Sequence, residues 1–412
     1  MNRTVRQFAI AATTALSLAA FSTSSALAEN PDPANWDGVK EQARGQTVYW
    51  NAWGGSTRIN DYIKWVGDTV SSRYGVKLEH VKLDDTAKAV ATVVAEKTAG
   101  KDEGGRIDLI WINGENFAAM KRQNLLFAPG WADKLPNWAL VDVENKPTIT
   151  TDFTIATDGL ESPWGGAKLV FFHDSNRTKE LPDSIAGLLE WAKKYPGRFS
   201  YPAPPDFIGS TFLKQALSEL IDDPKKLLQP VDESRFEADV APLLAYLDDL
   251  HPLMWRKGQA FPKNYPDMRR KLADNELDIV FAFNPGEASS AIANQELPDS
   301  VRSFTFSGGT LGNTHFVAIP YNASAKAGAL IVANFLLSPE AQARKQDPNF
   351  WGDPTVLNVT KLSADDRKTF EAIDLGIATL PPEKLGPMLP EPHPTWMASL
   401  EKVWLRRFGV AN

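Results

Sequence analysis

Apolar and polar positions alternate with two different periods along the first part of the chain. Short apolar runs typical of buried strands are separated by segments whose apolar residues recur every three or four positions, as on one face of a helix. The strand-like runs cover residues 46–53, 77–83 and 106–114, and the helix-like segments cover residues 56–75, 86–100 and 116–126. This β-α-β-α-β-α order predicts a parallel sheet with helices on both faces.

A second series of the same kind follows. Strand-like runs cover residues 168–174, 198–206, 277–283 and 314–323, and helix-like segments cover residues 184–197, 209–221, 324–346, 363–373 and 396–408. Helical segments interrupted by prolines occupy residues 222–275. The pattern predicts an α/β protein with two lobes, each a mainly parallel sheet flanked by helices, and a ligand cleft between the lobes.

Four of the predicted strand ends carry similar loops, at residues 51–57, 112–116, 201–211 and 283–289, and each combines an aromatic or amide side chain with Gly or Pro. Ligands of α/β sheets bind beyond the carboxyl ends of strands, at helix N-termini, so we expect these loops to meet across the cleft. The candidate ligand-binding residues are Asn51, Trp53, Gly54, Gly55, Ser56, Asn113, Glu115, Asn116, Trp164, Tyr201, Asp206, Gly209, Ser210, Thr211, Asn284, Glu287 and Trp351.

An organic cation is the first ligand chemistry that fits these residues. Aromatic faces such as those of Trp53 and Tyr201 attract protonated or quaternary amines, and carboxylates such as those of Glu115 and Glu287 add charge pairing. Core packing is the alternative for each aromatic residue. For Trp111, which lies inside an apolar strand, packing is the better explanation.

An anionic group is the second ligand chemistry. Residues 54–57 and 209–211 place glycine, serine and threonine at predicted helix starts, with Ser210 or Thr211 as a cap, and free N–H groups at helix N-termini bind phosphate or carboxylate. Ordinary N-capping is the alternative for these hydroxyls. Both chemistries are compatible with a ligand that joins a cationic ring or amine to a phosphate or hydroxyl tail.

The N-terminus has the pattern of a secretory signal peptide. Arg3 and Arg6 precede an apolar segment at residues 8–21, and an Ala-x-Ala site ends at Ala28. We expect cleavage after Ala28 and a soluble periplasmic chain, because no second apolar segment is long enough to span a membrane.

Amino-acid composition and the lack of known motifs exclude several classes of function. The chain has no cysteine, which excludes disulfides, thiol catalysis and Cys-ligated zinc. Its net charge of −7 and pI of about 5.4 argue against a nucleic-acid partner. The five histidines are scattered, and no nucleophile, phosphate-binding or metalloprotease motif occurs, so we expect no enzyme, no cofactor and no metal site. The alternative is a periplasmic hydrolase of carbohydrates or phosphoesters with Glu115 and Asp206 as paired carboxylates.

Several long stretches resemble the YnjB-type periplasmic solute-binding proteins of ABC transporters, which have type II topology. They are "NAWGGS", "DLIWINGENFAAMK", "DGLESPWGGAKLVFFHDS", "PGRFSYPAPPDFIGSTFLK" and "LHPLMWRKG", and the resemblance runs over almost the whole mature chain. The resemblance implies a monomeric solute receptor that delivers a small solute to ABC permease subunits. It does not identify the solute, for which we expect a thiamine-like or choline-like cation, with or without a phosphate.

The resemblance also implies how the chain divides between the lobes. Residues 29–163 and 314–349 would form lobe 1, residues 168–309 and 355–412 would form lobe 2, and the chain would cross near 164–167, 310–313 and 350–354. Glycines lie at these crossings, at positions 165, 166, 312 and 352, where a permissive backbone can absorb a hinge rotation.

Overall fold

Buried hydrophobic side chains form two main bodies in the computed structural model, which describes residues 30–381 and 384–409. We call lobe 1 the residues that pack around Trp50 and Leu330, together with the adjacent smaller cluster around Phe117. We call lobe 2 the residues that pack around Phe172. The predicted signal peptide lies outside the described residues.

Lobe 1 begins with the predicted alternation of strands and helices. Its elements are α1 (Trp36–Ala43), β1 (Thr47–Trp53), α2 (Thr57–Tyr74), β2 (Lys77–Leu83), α3 (Ala87–Thr98), β3 (Leu109–Ile112), α4 (Gly114–Arg122), β4 (Thr151–Asp152) and β5 (Ile155–Ala156). β1 pairs in parallel with β2 and β3, as its strand-helix-strand order requires. β4 and β5 form a short antiparallel hairpin that reappears at the candidate site.

The chain then enters lobe 2 and later returns. The elements that follow are β6 (Glu161–Lys168), β7 (Val170–Asp174), α5 (Ile185–Lys194), α6 (Phe207–Leu220), α7 (Phe236–Leu250), α8 (Tyr265–Ala273), β8 (Ile279–Ala282), α9 (Glu287–Ala293), β9 (Val301–Phe304), β10 (Thr310–Ala318), α10 (Lys326–Leu336), α11 (Pro339–Gln346), α12 (Ala364–Glu371), β11 (Met388–Pro390) and α13 (Pro394–Phe408). Short 3-10 helices lie at Ala132–Lys134, Pro136–Leu140, Pro147–Ile149, Pro224–Leu228, His251–Leu253, Trp255–Gly258 and Val359–Lys361.

Two long antiparallel strands connect the lobes. β6 pairs with β10 from Glu161 opposite Ala318 to Lys168 opposite Gly312. β10 also pairs antiparallel with β3 and, at its start, in parallel with β11. The sheet order is therefore β2-β1-β3-β10, with β6 on the far side of β10 and β11 beside its first residues.

The second sheet differs from the prediction of a mainly parallel sheet. β7 lies between β8 and β9 and is antiparallel to both. β7 continues from the connecting strand β6 after Leu169 alone, so its direction in the second sheet follows from that of β6. β8 and β9, which α9 connects, run in the same direction as each other, as a crossover requires.

The lobe boundaries stay a prediction, but packing disagrees with a third crossing at residues 350–354. Val356, Leu362 and Phe370 belong to the lobe 1 core, whereas Ala378 belongs to the lobe 2 core. Residues 355–370 therefore pack with lobe 1, and the chain moves to lobe 2 after them.

Proline explains two further differences from the predicted elements. The helix predicted over residues 324–346 is broken into α10 and α11, because Pro339 has no N–H to continue α10 and Ser338 caps a new helix by accepting from the Ala341 N–H. The strand predicted over residues 198–206 is reduced to one bridge between Phe199 and Ile279. Three of the residues after Tyr201 are prolines, which cannot donate to a ladder.

In the described part of the chain, none of the helices combines the length and the hydropathy that a membrane span needs.

Candidate functional site

Five acidic side chains from both lobes and the connecting strands form what we call the carboxylate cluster: Glu115, Asp152, Glu161, Glu391 and Glu401. Glu115 lies in the first turn of α4, which packs against α13, the helix that carries Glu401. Burial is the main cause of the raised pKa values of Glu115, Asp152 and Glu161. Neighbouring carboxylates add to it, since Glu115 and Glu391 raise the pKa of Asp152, Asp152 raises that of Glu161, and Glu401 raises that of Glu115.

The hairpin of β4 and β5 covers the start of α4. The Gly114 N–H donates to Asp152 Oδ2 at 2.6 Å. Gly114 has φ +60°, and a Cβ there would lie 2.8 Å from the Phe153 ring, so glycine is required for this approach. Phe153 itself has φ +42°, a left-handed conformation that is strained for an aromatic residue. Such strain concentrates at ligand-binding sites.

Two carboxyl groups in the cluster have oxygens without a hydrogen-bond partner. They are Asp152 Oδ1 and both side-chain oxygens of Glu161, and each residue is 1% exposed. Burial raises the pKa of both carboxyls well above the ordinary values. Burying unpaired acidic groups costs stability, which a bound donor or cation at this position would offset.

Glu115 is also shifted toward its neutral form. Burial raises the pKa of Glu115 to about 7, and Asn116 Nδ2 donates to its Oε1 at 2.8 Å. Asn113 occupies the N-cap of α4 without a side-chain capping bond. The predicted loop at residues 112–116 therefore does contribute to the cluster.

Lobe 2 presents one face of α6 to the cluster. Phe207, Ser210 and Lys214 are spaced at i, i+3 and i+7, which places them on the same side of the helix. Ser210 Oγ donates to Glu401 Oε1 at 2.6 Å, and the buried Lys214 Nζ donates to Glu391 Oε2 at 2.7 Å. Lys214 is thus the buried cation of a predominantly acidic site.

The start of α6 differs from the sequence prediction. Asp206, not Ser210 or Thr211, is the N-cap, and its Oδ1 accepts from the N–H groups of Ile208 and Gly209. Thr211 Oγ1 donates to the Phe207 carbonyl inside the helix. Because Asp206 already satisfies these N–H groups, the helix start does not offer them to an anion.

A second interlobe contact surrounds Arg58, near the start of α2. Arg58 forms ion pairs with Glu287 at 2.6 Å and with Glu296 at 2.7 Å. Arg269 contacts the same two carboxylates at 2.9 and 2.8 Å. We call these four residues the interlobe latch. Glu287, a candidate ligand-binding residue, is therefore neutralised by two guanidinium groups.

Three predicted aromatic candidates are core residues in this structure. Tyr201 is fully buried in lobe 2, where its hydroxyl contacts His251 Nε2 at 2.7 Å and accepts from Trp404 Nε1 at 2.8 Å. Trp164 is fully buried in lobe 1, and Trp351 packs beside it with ring centroids 5.2 Å apart. Core packing, the alternative explanation at the sequence level, accounts for all three.

The loop at residues 51–57 is folded on itself. A Cβ on Gly55 would lie 2.3 Å from the Trp53 indole, and a Cβ on Gly54 would lie 2.6 Å from the Lys82 side chain. Ser56 is the N-cap of α2 but makes no side-chain capping bond. Asn51 is buried within β1. The glycines thus accommodate neighbouring side chains.

The remaining candidates lie in lobe 2. Asn284 is buried, its Oδ1 accepts from the Gly286 N–H, and its Nδ2 has no partner among the described residues. The adjacent Phe283 ring packs edge-on against Phe207 at 5.7 Å. Gly209 packs against the backbone, since a Cβ there would lie 1.9 Å from the Pro202 carbonyl oxygen.

Sequence reasoning missed most of the cluster. Four of its five members lie outside the four loops, in strands, helices or a late segment of the chain: Asp152, Glu161, Glu391 and Glu401. Their cationic partner Lys214 lies outside these loops as well. The sequence signal that could have identified these residues is a charged residue within an otherwise apolar strand or helix. Lys214 in "FIGSTFLKQALSEL" is the clearest example.

Two surface cavities lie away from the cluster. One of about 560 Å³ is lined by residues of α11 and α12, and one of about 510 Å³ is lined by residues of α2 and β2. Neither is lined by a member of the carboxylate cluster. Among the residues described, no group of three or more His, Asp or Glu side chains could hold a metal ion.

Comparison with known proteins identifies the family to which the chain is similar. The family model for bacterial extracellular solute-binding proteins matches residues 65–365. Protein YnjB of Escherichia coli (strain K12) is 45% identical over 377 residues, which cover 92% of this chain and 95% of that protein.

Solved structures support the same fold. The spermidine/putrescine ABC transporter substrate-binding protein PotD of Streptococcus pneumoniae has a TM-score of 0.57 at 16% identity, covering 89% of this chain and 100% of that chain. The periplasmic binding protein AfuA of Actinobacillus pleuropneumoniae, with fructose-6-phosphate bound, has a TM-score of 0.60 at 15% identity, covering 89% and 99%. At such low identity these likenesses show the α/β periplasmic binding protein fold alone.

Proposed function

This chain belongs to the bacterial extracellular solute-binding protein family, and from that premise we propose that it captures a small organic cation at the carboxylate cluster and delivers it to the permease of an ABC importer. Membership confirms the expectations of a YnjB-type solute-binding component and of a non-enzymatic protein. The hydrolase alternative is therefore set aside, and Asp206, one of its two carboxylates, serves as a helix cap.

The excess of buried acid over buried base is the observation that carries the proposal. Four of the five carboxyl groups, those of Glu115, Asp152, Glu391 and Glu401, interact with one buried ammonium group, that of Lys214. Asp152 and Glu161 are buried and keep oxygens without a partner among the described residues. A cation that donates hydrogen bonds there would satisfy these oxygens and favour their ionised forms. Phe153 and Phe207 supply aromatic faces beside the Lys214 ammonium group.

The related folds do not decide between cation and anion, because one named relative is described with polyamines and another with a sugar phosphate. Local chemistry favours the cation. Asp206 caps α6, so the start of α2 is the one of the two predicted helix starts that has no side-chain cap. Arg58, in the first turn of α2, is paired with Glu287 and Glu296, so its charge is already neutralised. We therefore propose an unphosphorylated amine or quaternary ammonium compound.

Titration calorimetry with choline, putrescine and thiamine tests this proposal, with fructose 6-phosphate and glycerol as anionic and neutral probes. We expect at least one of the cations to bind and the other probes to give no heat. Binding of fructose 6-phosphate but of none of the cations would contradict the proposal.

A matched pair of variants locates the site. Asp152→Asn keeps an oxygen for the Gly114 N–H but removes the charge, so we expect cation affinity to fall by about tenfold or more. Asp108→Asn is the control, because Asp108 is equally buried but accepts from the Tyr49 and Ala325 N–H groups within lobe 1. Equal losses of affinity in the two variants would argue against a site at Asp152.

Family membership places the protein outside the cytoplasm. We further propose that it is released by cleavage after Ala28 and works as a monomer. N-terminal sequencing of periplasmic material should read Glu29–Asn30–Pro31, and sedimentation should give the mass of one chain. A chain that keeps Met1, or a sedimenting dimer, would contradict these points.

A further inference from the structure

Lys214 has an unusual environment for a buried ammonium group. The Lys214 and Glu391 side chains are 1% and 2% exposed, and their ion pair measures 2.7 Å. Among the described residues, Glu391 is the one hydrogen-bond acceptor of Lys214 Nζ. An ammonium group has three donors, so two of them have no oxygen partner.

Aromatic rings take the place of the missing acceptors. Lys214 Nζ lies 4.5 Å from the centre of the Phe153 ring and 5.3 Å from the centre of the Phe207 ring. One carboxylate and two ring faces make a suitable environment for an alkylated ammonium, which donates few or no hydrogen bonds. A buried lysine with a purely structural role would be expected to have more hydrogen-bond acceptors.

Another buried lysine in the same chain illustrates that structural arrangement. Lys345 Nζ donates to the Asp353 carboxylate, to the Asp353 carbonyl at 3.3 Å and to the Pro354 carbonyl at 3.0 Å. All three donors of Lys345 therefore have oxygen partners, and its side chain is 0% exposed. Lys214 is buried to nearly the same extent with a single oxygen partner.

The Lys214 ammonium group also joins the two lobes, because it extends from lobe 2 to residues beside lobe 1. α6 belongs to the lobe 2 core, whereas Phe153 and Asp152 lie in the hairpin beside α4 of lobe 1. Its charge stabilises the ionised forms of Glu115, Asp152 and Glu401. Lys214 thus supplies, from within the protein, the positive charge that the cluster attracts.

We propose that Lys214 is an internal competitor, whose ammonium group occupies the cation subsite between Phe153, Phe207 and Glu391 until the cation of a solute displaces it. The inference rests on the proposed function, since it assumes that the solute is a cation. It makes Lys214 a determinant of both affinity and specificity. A bound solute must replace the contacts of Lys214, so weakly interacting cations such as free ammonium are rejected.

Cation affinity of Lys214→Met tests the proposal, with choline, putrescine and thiamine as the probes. Methionine fills the aliphatic volume of lysine without its charge, so we expect binding at least tenfold tighter than in the wild type. Lys214→Arg, which keeps a cation in the subsite, should bind no tighter than the wild type. Lys226→Met is the matched control, because Lys226 pairs with Asp239 elsewhere in lobe 2, and it should leave the affinity unchanged.

The outcomes separate this inference from the proposed function. If the wild type binds a cation and Lys214→Met binds it no tighter, the competitor role is overturned while the proposed function stands. If neither the wild type nor Lys214→Met binds any of the three cations, the proposed function fails and the inference fails with it. If fructose 6-phosphate binds and Lys214→Met loses it, Lys214 is instead an anion ligand.

Acylation of lysines in the wild-type protein, read by mass spectrometry, gives a test that does not depend on the folding of a variant. We expect Lys214 to be unreactive without solute and to become reactive when choline, putrescine or thiamine saturates the protein. Lys345 should stay unreactive in both states and serves as the internal reference. Unchanged protection of Lys214 in the saturated protein would overturn the proposal.

Discussion

At the scale of single residues, the proposed cation site makes solute binding depend on pH through Glu115. Its pKa is raised from the usual 4.5 to about 7, mainly by burial; the carboxylates of Glu401 and Asp85 contribute to this rise, and Lys214 opposes it. Ionisation of Glu115 therefore costs the ligand-free protein stability as pH rises from about 4.5 to 7, because the unfolded chain ionises first. A bound cation reverses this preference by favouring the carboxylate.

We predict that cation affinity rises with pH and is about tenfold higher at pH 8 than at pH 6, with proton release on binding. Glu115→Gln should reduce this dependence, although Asp152 and Glu161, whose pKa values are also raised, still contribute. Calorimetry in buffers of different ionisation enthalpy measures the protons released. Glu190→Gln, which removes an exposed partner of Lys193, is the control. The same pH dependence in Glu115→Gln and in the wild type would contradict the role of Glu115.

The residues of the candidate site could be predicted from the sequence only in part. Glu115 was identified because it follows a strand end, and it does lie in the cluster. Tyr201 and Trp164 also follow or form strand ends, yet they are buried, because burial depends on which elements pack above them. Asp152 and Lys214 belong to the site through tertiary contacts, which no local pattern reveals.

At the scale of elements, the position of α6 depends on the close approach of its first turn to the preceding segment. A Cβ on Gly209 would lie 1.9 Å from the Pro202 carbonyl oxygen, a backbone atom that cannot move aside as a side chain can. This contact fixes where Ser210 and Lys214 meet the cluster. The sequence pattern predicts a helix that begins at residue 209, two residues after the observed start at Phe207. The difference arises because Asp206 is interpreted from the sequence as a ligand carboxylate and not as a helix cap.

We predict that Gly209→Ala destabilises the protein by about 1–3 kcal/mol through overpacking, even though alanine favours helices by about 1 kcal/mol over glycine. Urea unfolding measures the change. Gly308→Ala is the control, because nothing lies within 4 Å of a Cβ at that position. A Gly209→Ala protein that is as stable as Gly308→Ala would show that α6 can shift without cost.

The order of elements was easier to predict than their directions or ends. Lobe 1 follows the predicted strand-helix alternation because each strand is a short apolar run and each helix has its own apolar face. The antiparallel β7 could not be predicted from its sequence, since pairing direction depends on how the chain leaves β6. Ser338 and Pro339 did carry a local signal for a break between α10 and α11.

At the scale of the whole molecule, contacts between the lobes include two sets of charged side chains. One is the Lys214 environment, and the other is the interlobe latch. Arg58 of lobe 1 is 10% exposed, and its partner Glu287 in lobe 2 is 8% exposed. Removing one partner of an ion pair this well shielded from water is costly, because it leaves an uncompensated buried charge. In Arg58→Gln, Glu287 and Glu296 would still be paired with Arg269, which limits that penalty.

We therefore predict that Arg58→Gln weakens lobe closure more than it weakens folding. Small-angle scattering should give a larger radius of gyration for ligand-free Arg58→Gln than for the wild type, and saturating cation should remove most of the difference, because the solute adds its own contacts across the cluster. Arg73→Gln is the matched control. It lies on the same helix α2, but its partner Glu340 belongs to lobe 1, so its loss should not change the radius. Identical radii for ligand-free Arg58→Gln and Arg73→Gln would show that the latch does not set the closed state. Closure would then depend on the cluster itself, where Lys214 and Glu391 provide the buried ion pair.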